Sequence, residues 1–225
     1  MTMPRTDRVF YWNWVIANGW AECAGLGTTF SLGRLIAPFL ENRSGAATVL
    51  GGALLAVLLG IILEGVVVGV AQERVLRQRL VELKPRSWVT ATAAGAGLAW
   101  LAGMVPSTIL ALSSGESPET QPAEPGAMVQ YALAMGLGFV TGPILGVAQW
   151  TVLRGGVEHP GRWLWANALA WAAGMPIIFA GMDLVPWSGS IAWVIVSIYA
   201  VCGVAGLVVG AIHGRLLVQL LPSAD

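Results

Sequence analysis

The stretch GPILGVAQWTVLR, Gly142 to Arg154, decides how this chain is read, because the chain repeats it. GVVVGVAQERVLR at Gly65–Arg77 keeps two glycines four apart, a glutamine three further on and the Val-Leu-Arg ending. GLVVGAIHGRLLV at Gly206–Val218 is a near copy, with His213 where the others carry Gln72 and Gln149. Glycines at this spacing share a helix face and let a neighbouring backbone approach closely. Gln149 lies seven residues beyond Gly142, nearly in line with it at about 100° per residue, so its amide is expected to face another helix rather than lipid.

A second phrase precedes each copy. WVIAN at Trp14–Asn18 is followed by Gly25, and WLWAN at Trp163–Asn167 by Gly174 at the same distance. WVTAT at Trp88–Thr92 is the divergent copy, with Ala99 in the glycine's place. Trp14, Trp88 and Trp163 are expected at one level as an interfacial aromatic belt. Each unit is a helical hairpin of roughly 75 residues, a period that marks repeat architecture. The three units run about 9–80, 86–156 and 162–220 within a single membrane domain, 1–225. The expected fold is all-α and integral to a membrane: six transmembrane helices as three hairpins pointing the same way, related about the membrane normal.

Composition agrees. Apolar residues make up 56% of the 225 and charged ones 11%, with mean hydropathy +0.72; a soluble domain carries about 25% charged residues. Six runs reach the roughly 20 residues that cross a hydrocarbon core, near 9–32, 46–72, 88–112, 127–153, 163–184 and 190–214. The first is the weakest, since Asn18 and Glu22 interrupt it. That interruption also argues against a cleaved signal peptide. With the N-terminus in the cytoplasm, Arg5, Arg8, Arg74, Arg77, Arg79, Lys84, Arg86, Arg154, Arg162 and Arg215 fall inside, and only Arg34 and Arg43 outside. The positive-inside rule therefore places both termini in the cytoplasm. Lys+Arg and Asp+Glu balance at 12 each, so no global field draws nucleic acid.

The segment Gly142, Gly146, Gln149, Trp150, Leu153, Arg154 resembles a group of bacterial multi-pass membrane proteins with repeated Gly-x-x-x-Gly-x-x-Gln-Trp-x-x-Leu-Arg segments, each followed by a Trp-initiated helix. The first copy departs at Glu73; the third departs at His213, Gly214 and Val218. The resemblance covers most of the chain. It implies topology and a bacterial cytoplasmic membrane, and no reaction.

The candidate site is a set of intramembrane polar residues. Asn18, Thr92 and Asn167 lie about one turn inside the cytoplasmic surface, at a depth similar to Gln72, Gln149 and His213. An unpaired amide in hydrocarbon costs several kcal/mol, so these groups need partners. One reading is a ring of interhelical hydrogen bonds that fixes register; the other is the lining of a polar cavity. The units differ at Glu22, opposite Ala96 and Trp171, and at Glu64, opposite Thr141 and Ala205. Both carboxyls fall roughly 12–18 Å from their helix ends, near the midplane, where an acid is a functional-site hypothesis. They could share a proton, bind a cation, receive a basic group, or simply be hydrogen-bonded.

No phosphate loop, zinc-protease motif or nucleophile elbow is present, and Cys23 and Cys202 lack metal-ligand spacing. Neither catalysis, a cofactor nor a metal is expected. The expected role is non-catalytic, structural or regulatory, in contact with lipid and with a membrane-protein partner or a second copy. The alternative is a small-solute or ion transporter or channel using the carboxylates. Leucine at Gly69 or Gly146 is expected to disrupt packing more than leucine at Gly60, outside the repeated phrase.

Overall fold

The computed structural model describes residues 3–41, 45–113 and 125–221; Arg43 and the acidic segment 114–124 lie outside the described residues. Every element is helical: α1 (Arg5–Glu41), α2 (Ala46–Leu76), α3 (Pro85–Ser113), α4 (Ala127–Leu153), α5 (Arg162–Asp183) and α6 (Ile191–Leu220). Helices α2 to α6 are each long and apolar enough to cross a membrane. The first, at 37 residues, is the longest. Its polar residues are segregated: Asn18, Glu22, Thr29 and Ser31 are buried, while Val9, Trp12, Ile16 and Trp20 face outward.

The six helices form a closed ring in which each packs on its two neighbours, and α1 meets α6 to complete it. Glycines set three of the seams. A Cβ on Gly69 would lie 3.0 Å from the Val89 Cα, one on Gly146 3.2 Å from the Leu164 Cα, and one on Gly210 3.1 Å from the Val15 Cα. Val15, Val89 and Leu164 each follow the tryptophan of the second phrase by one residue. Backbone therefore lies against backbone at α2/α3, α4/α5 and α6/α1. Gly60 is also crowded, since a side chain there would meet the Trp100 ring. Its expected tolerance is thus corrected: periodicity locates a helix face but not what stands opposite a glycine outside the phrase.

The ring has two differently filled halves. At the end that carries Arg77, Arg154 and Arg215, here called the basic end, Trp14, Trp88 and Trp163 are fully buried and close the centre with Leu76, Leu153 and Leu217. Trp163 lies edge-on to Trp14 at 6.1 Å and tilted to Trp88 at 6.4 Å. The aromatic-belt expectation fails for these three. Each tryptophan precedes the polar residue of its phrase by four positions and shares its inward face. At the opposite end a second apolar cluster, including Leu26, Ile178, Ile198 and Cys202, packs α1 against α5 and α6.

Helix α2 departs from α geometry over Gly60–Gly65, where it makes a π-turn. Such turns are rare and recur at functional sites. Helix α1 lies directly on it: a Cβ on Gly25 would be 2.7 Å from the Leu63 carbonyl oxygen and 2.8 Å from the Glu64 Cα. The π-turn delivers Glu64 to the interior.

Candidate functional site

Four levels stack along the inner face of α1, one turn or about 6 Å apart: Trp14, Asn18, Glu22 and Leu26, all buried. The second level is a polar layer. Gln72 Nε2 donates to Asn18 Oδ1 at 2.8 Å. Gln149 Nε2 donates to Gln72 Oε1 and to Thr92 Oγ1, both at 3.0 Å. Trp163 Nε1 donates to Gln149 Oε1 at 2.9 Å. Four helices, α1 to α4, are thus joined by side-chain amides, and the tryptophan above ties in α5.

The third unit behaves differently. Asn167 Nδ2 donates to its own Trp163 carbonyl at 2.9 Å, as Asn18 Nδ2 does to Trp14 at 2.8 Å. However, Asn167 Oδ1, both His213 nitrogens and the Trp14 Nε1 have no hydrogen-bond partner among the described residues. His213 instead lies 5.1 Å from the Trp163 ring, tilted to it by 32°. The imidazole is shorter than a glutamine side chain and packs beside the Trp163 ring where the glutamines reach across.

Below the polar layer, Glu22 and Glu64 are buried on adjoining helices, with the α1 backbone at Gly25 lying on Glu64. Glu22 Oε2 has no partner among the described residues, and its Cβ region fills the notch left by Gly206. Glu64 Oε2 accepts a hydrogen bond from Trp100 Nε1 at 2.6 Å. Neither carboxyl has an ion-pair partner among the described residues. Two acidic side chains thus lie buried on adjoining helices, where an uncompensated charge is costly.

Glu64 also borders a cavity of about 290 Å³ in the middle of the ring, lined from five helices, α1 to α5. Its walls are aromatic and apolar, with Phe30, Trp100, Trp171 and Phe179 around it, and Glu64 is the one charged side chain among the described lining residues. Phe30 and Trp100 meet edge to face at 6.2 Å. A carboxylate beside ring faces is the chemistry that holds an organic cation, the carboxylate by charge and the rings by their quadrupoles.

The structure thus brings Asn18, Gln72, Thr92 and Gln149 into one network and sets Asn167 and His213 beside it without bonding them to it. It buries Glu22 about one turn from Asn18 and Glu64 about two turns from Gln72 along their helices. Sequence reasoning missed Trp100 and the cavity. A tryptophan eight residues beyond Thr92, far from either helix end, was the available signal. Among the described residues, no three His, Cys, Asp or Glu side chains converge as metal ligands would. No family model, curated protein or solved structure matches the chain.

Proposed function

We propose that this is a non-catalytic membrane protein that binds a small lipophilic ammonium ion within the bilayer, with Glu64 as counter-charge and the rings of Phe30, Trp100 and Trp171 as walls. The observation that carries the reading is the single carboxyl on a cavity whose other described lining residues, Thr141 apart, are aromatic or apolar. Glu22 deepens the negative field there, and a bound cation relieves the repulsion between the two acids. The tryptophan plug and the amide layer close the ring between this cavity and the basic end, so the geometry favours binding over an open channel.

In this reading α1 is a sixth span, because its buried polar stripe faces the ring and its apolar stripe faces out. The chain forms three parallel hairpins whose glycine pairs make the seams. Both termini lie in the cytoplasm of a bacterial cell, as the arginine bias and the resemblance imply. A membrane-protein partner or second copy would read the bound state; nucleic acid has no part.

The test is equilibrium binding of 1-aminoadamantane to protein reconstituted in phosphatidylcholine nanodiscs. Binding should be saturable, and Glu64→Gln should weaken it at least tenfold. The neutral analogue 1-adamantanol should bind weakly and equally to both proteins. Undiminished amine binding by Glu64→Gln would overturn the reading.

A further inference from the structure

A separate feature lies at the basic end, outside the ring. The segment between α2 and α3 and the end of α4 enclose a groove of about 1130 Å³. Lys84, Arg86 and Arg154 stand on its rim and are exposed. Their neighbours in sequence are engaged: Arg79 bonds Asp7 at 2.7 Å and Arg77 lies 3.6 Å from Glu73. Lys84, Arg86 and Arg154 make no ion pair among the described residues, and Arg154 lies over the Trp150 ring at 5.3 Å. Glu82 is the one carboxylate on the groove, which leaves a net positive rim.

The groove continues off that rim into the crevice between α3 and α4, where Ala91, Ala94 and Ala148 form its floor. From Pro85 to Ala94 the helix rises about 14 Å, close to half of the roughly 30 Å hydrocarbon core. A cationic rim above an apolar crevice one leaflet deep matches an anionic amphiphile in both charge and length. A soluble acidic peptide would have no use for the crevice, and a free phosphate none for its depth.

We infer that this groove is a binding site for one anionic phospholipid of the leaflet at the basic end. The phosphate lies among Lys84, Arg86 and Arg154, and an acyl chain runs down over Ala91, Ala94 and Ala148. Basic clusters beside membrane-spanning helices attract such headgroups by charge. The alanine floor adds a shape requirement that charge alone does not impose.

The experiment is native mass spectrometry of the full-length protein in detergent, titrated with phosphatidylglycerol or with phosphatidylcholine of the same chains. One phosphatidylglycerol should be retained at least tenfold more tightly than phosphatidylcholine. The triple variant Lys84→Gln, Arg86→Gln, Arg154→Gln should abolish that preference. Ala94→Leu with Ala148→Leu keeps every charge and should weaken retention at least fivefold. The control Arg5→Gln, Arg8→Gln, Arg215→Gln removes equal charge from the same end away from the groove and should leave retention within twofold. Equal losses in the triple variant and the control would reduce the effect to general basicity and overturn the site. Displacement of the lipid by millimolar inorganic phosphate would overturn it as well, since the chain would then add nothing.

Discussion

Gln149 and Gln72 occupy the same position in two copies of one phrase, and the amide of the first donates to the carbonyl oxygen of the second at 3.0 Å across the ring interior. A residue type repeated in sequence has become a bonded pair in space. Gln149 is the more connected member, since it also donates to Thr92 and accepts from Trp163. Gln149→Leu leaves three buried groups short of a partner, whereas Gln72→Leu strands two. Given about 1–2 kcal/mol per interhelical hydrogen bond in a membrane, Gln149→Leu should cost roughly 2–4 kcal/mol and Gln72→Leu less. The double variant should cost less than the sum of the two, because the shared bond is lost only once. Unfolding in mixed micelles measures all three; strict additivity would mean that the two amides do not act on each other.

The seams give a second expectation. Gly146→Leu drives a side chain into the Leu164 backbone and should destabilise the bundle by about 1–3 kcal/mol, the usual cost of overpacking. Gly136, on the same helix, has nothing within 4 Å of a new Cβ, so Gly136→Leu should be nearly neutral. Gly60→Leu belongs with the costly group because of Trp100. Thermal unfolding in detergent ranks the three, and equal tolerance at Gly136 and Gly146 would remove the role given to the glycine pairs.

Topology is open to direct labelling in a Cys23→Ala, Cys202→Ala background. A cysteine at Ser188, between α5 and α6, should react with a membrane-impermeant maleimide added outside whole cells. One at Val81, between α2 and α3, should react only after lysis. Ser114, which the same topology also puts on the outer side, lies outside the described residues. External labelling at Val81 would reverse the orientation.

The carboxyls give the last expectation. If Glu22 and Glu64 act on one bound cation, Glu22→Gln should weaken 1-aminoadamantane binding while the fold is kept. The double variant should then be no worse than Glu64→Gln alone, as for residues that act as a unit. Trp100→Phe keeps the ring but removes the donor to Glu64, and should change affinity by about tenfold or less, the worth of one hydrogen bond. Additive losses from the two glutamates would separate them into unrelated sites.

The helices were legible because their signals are local. Each apolar run has a length that only one kind of solvent explains; four of the six fall within the observed helices and the other two overrun theirs by one residue. The polar layer was legible for a similar reason, since Asn18 and Gln72 occur at matched depths in adjoining helices. What hid was everything set by side-chain direction across the ring. Trp14, Trp88 and Trp163 have the composition and depth of an interfacial belt, and only their four-residue offset from Asn18, Thr92 and Asn167 points them inward. The cavity has no motif at all, because Phe30, Glu64, Trp100 and Trp171 come from four separate helices. The π-turn that turns Glu64 inward was equally silent: the backbone widens there without a proline to mark it.

The seam between α1 and α6 has a consequence for biosynthesis. Asn18 and Glu22 lie against Gly210 and Gly206, so the polar stripe of the first helix made is covered by the last. If α1 spans the bilayer as proposed, that stripe faces hydrocarbon or whatever the insertion machinery provides while α2 to α5 are being inserted, and the ring stands open like a cut washer. A ribosome stalled before Ile191 would leave a nascent chain carrying a carboxyl and an amide on an uncovered membrane face. Such an intermediate is a recognisable target for intramembrane quality control, and closure by α6 is the step that withdraws it from view.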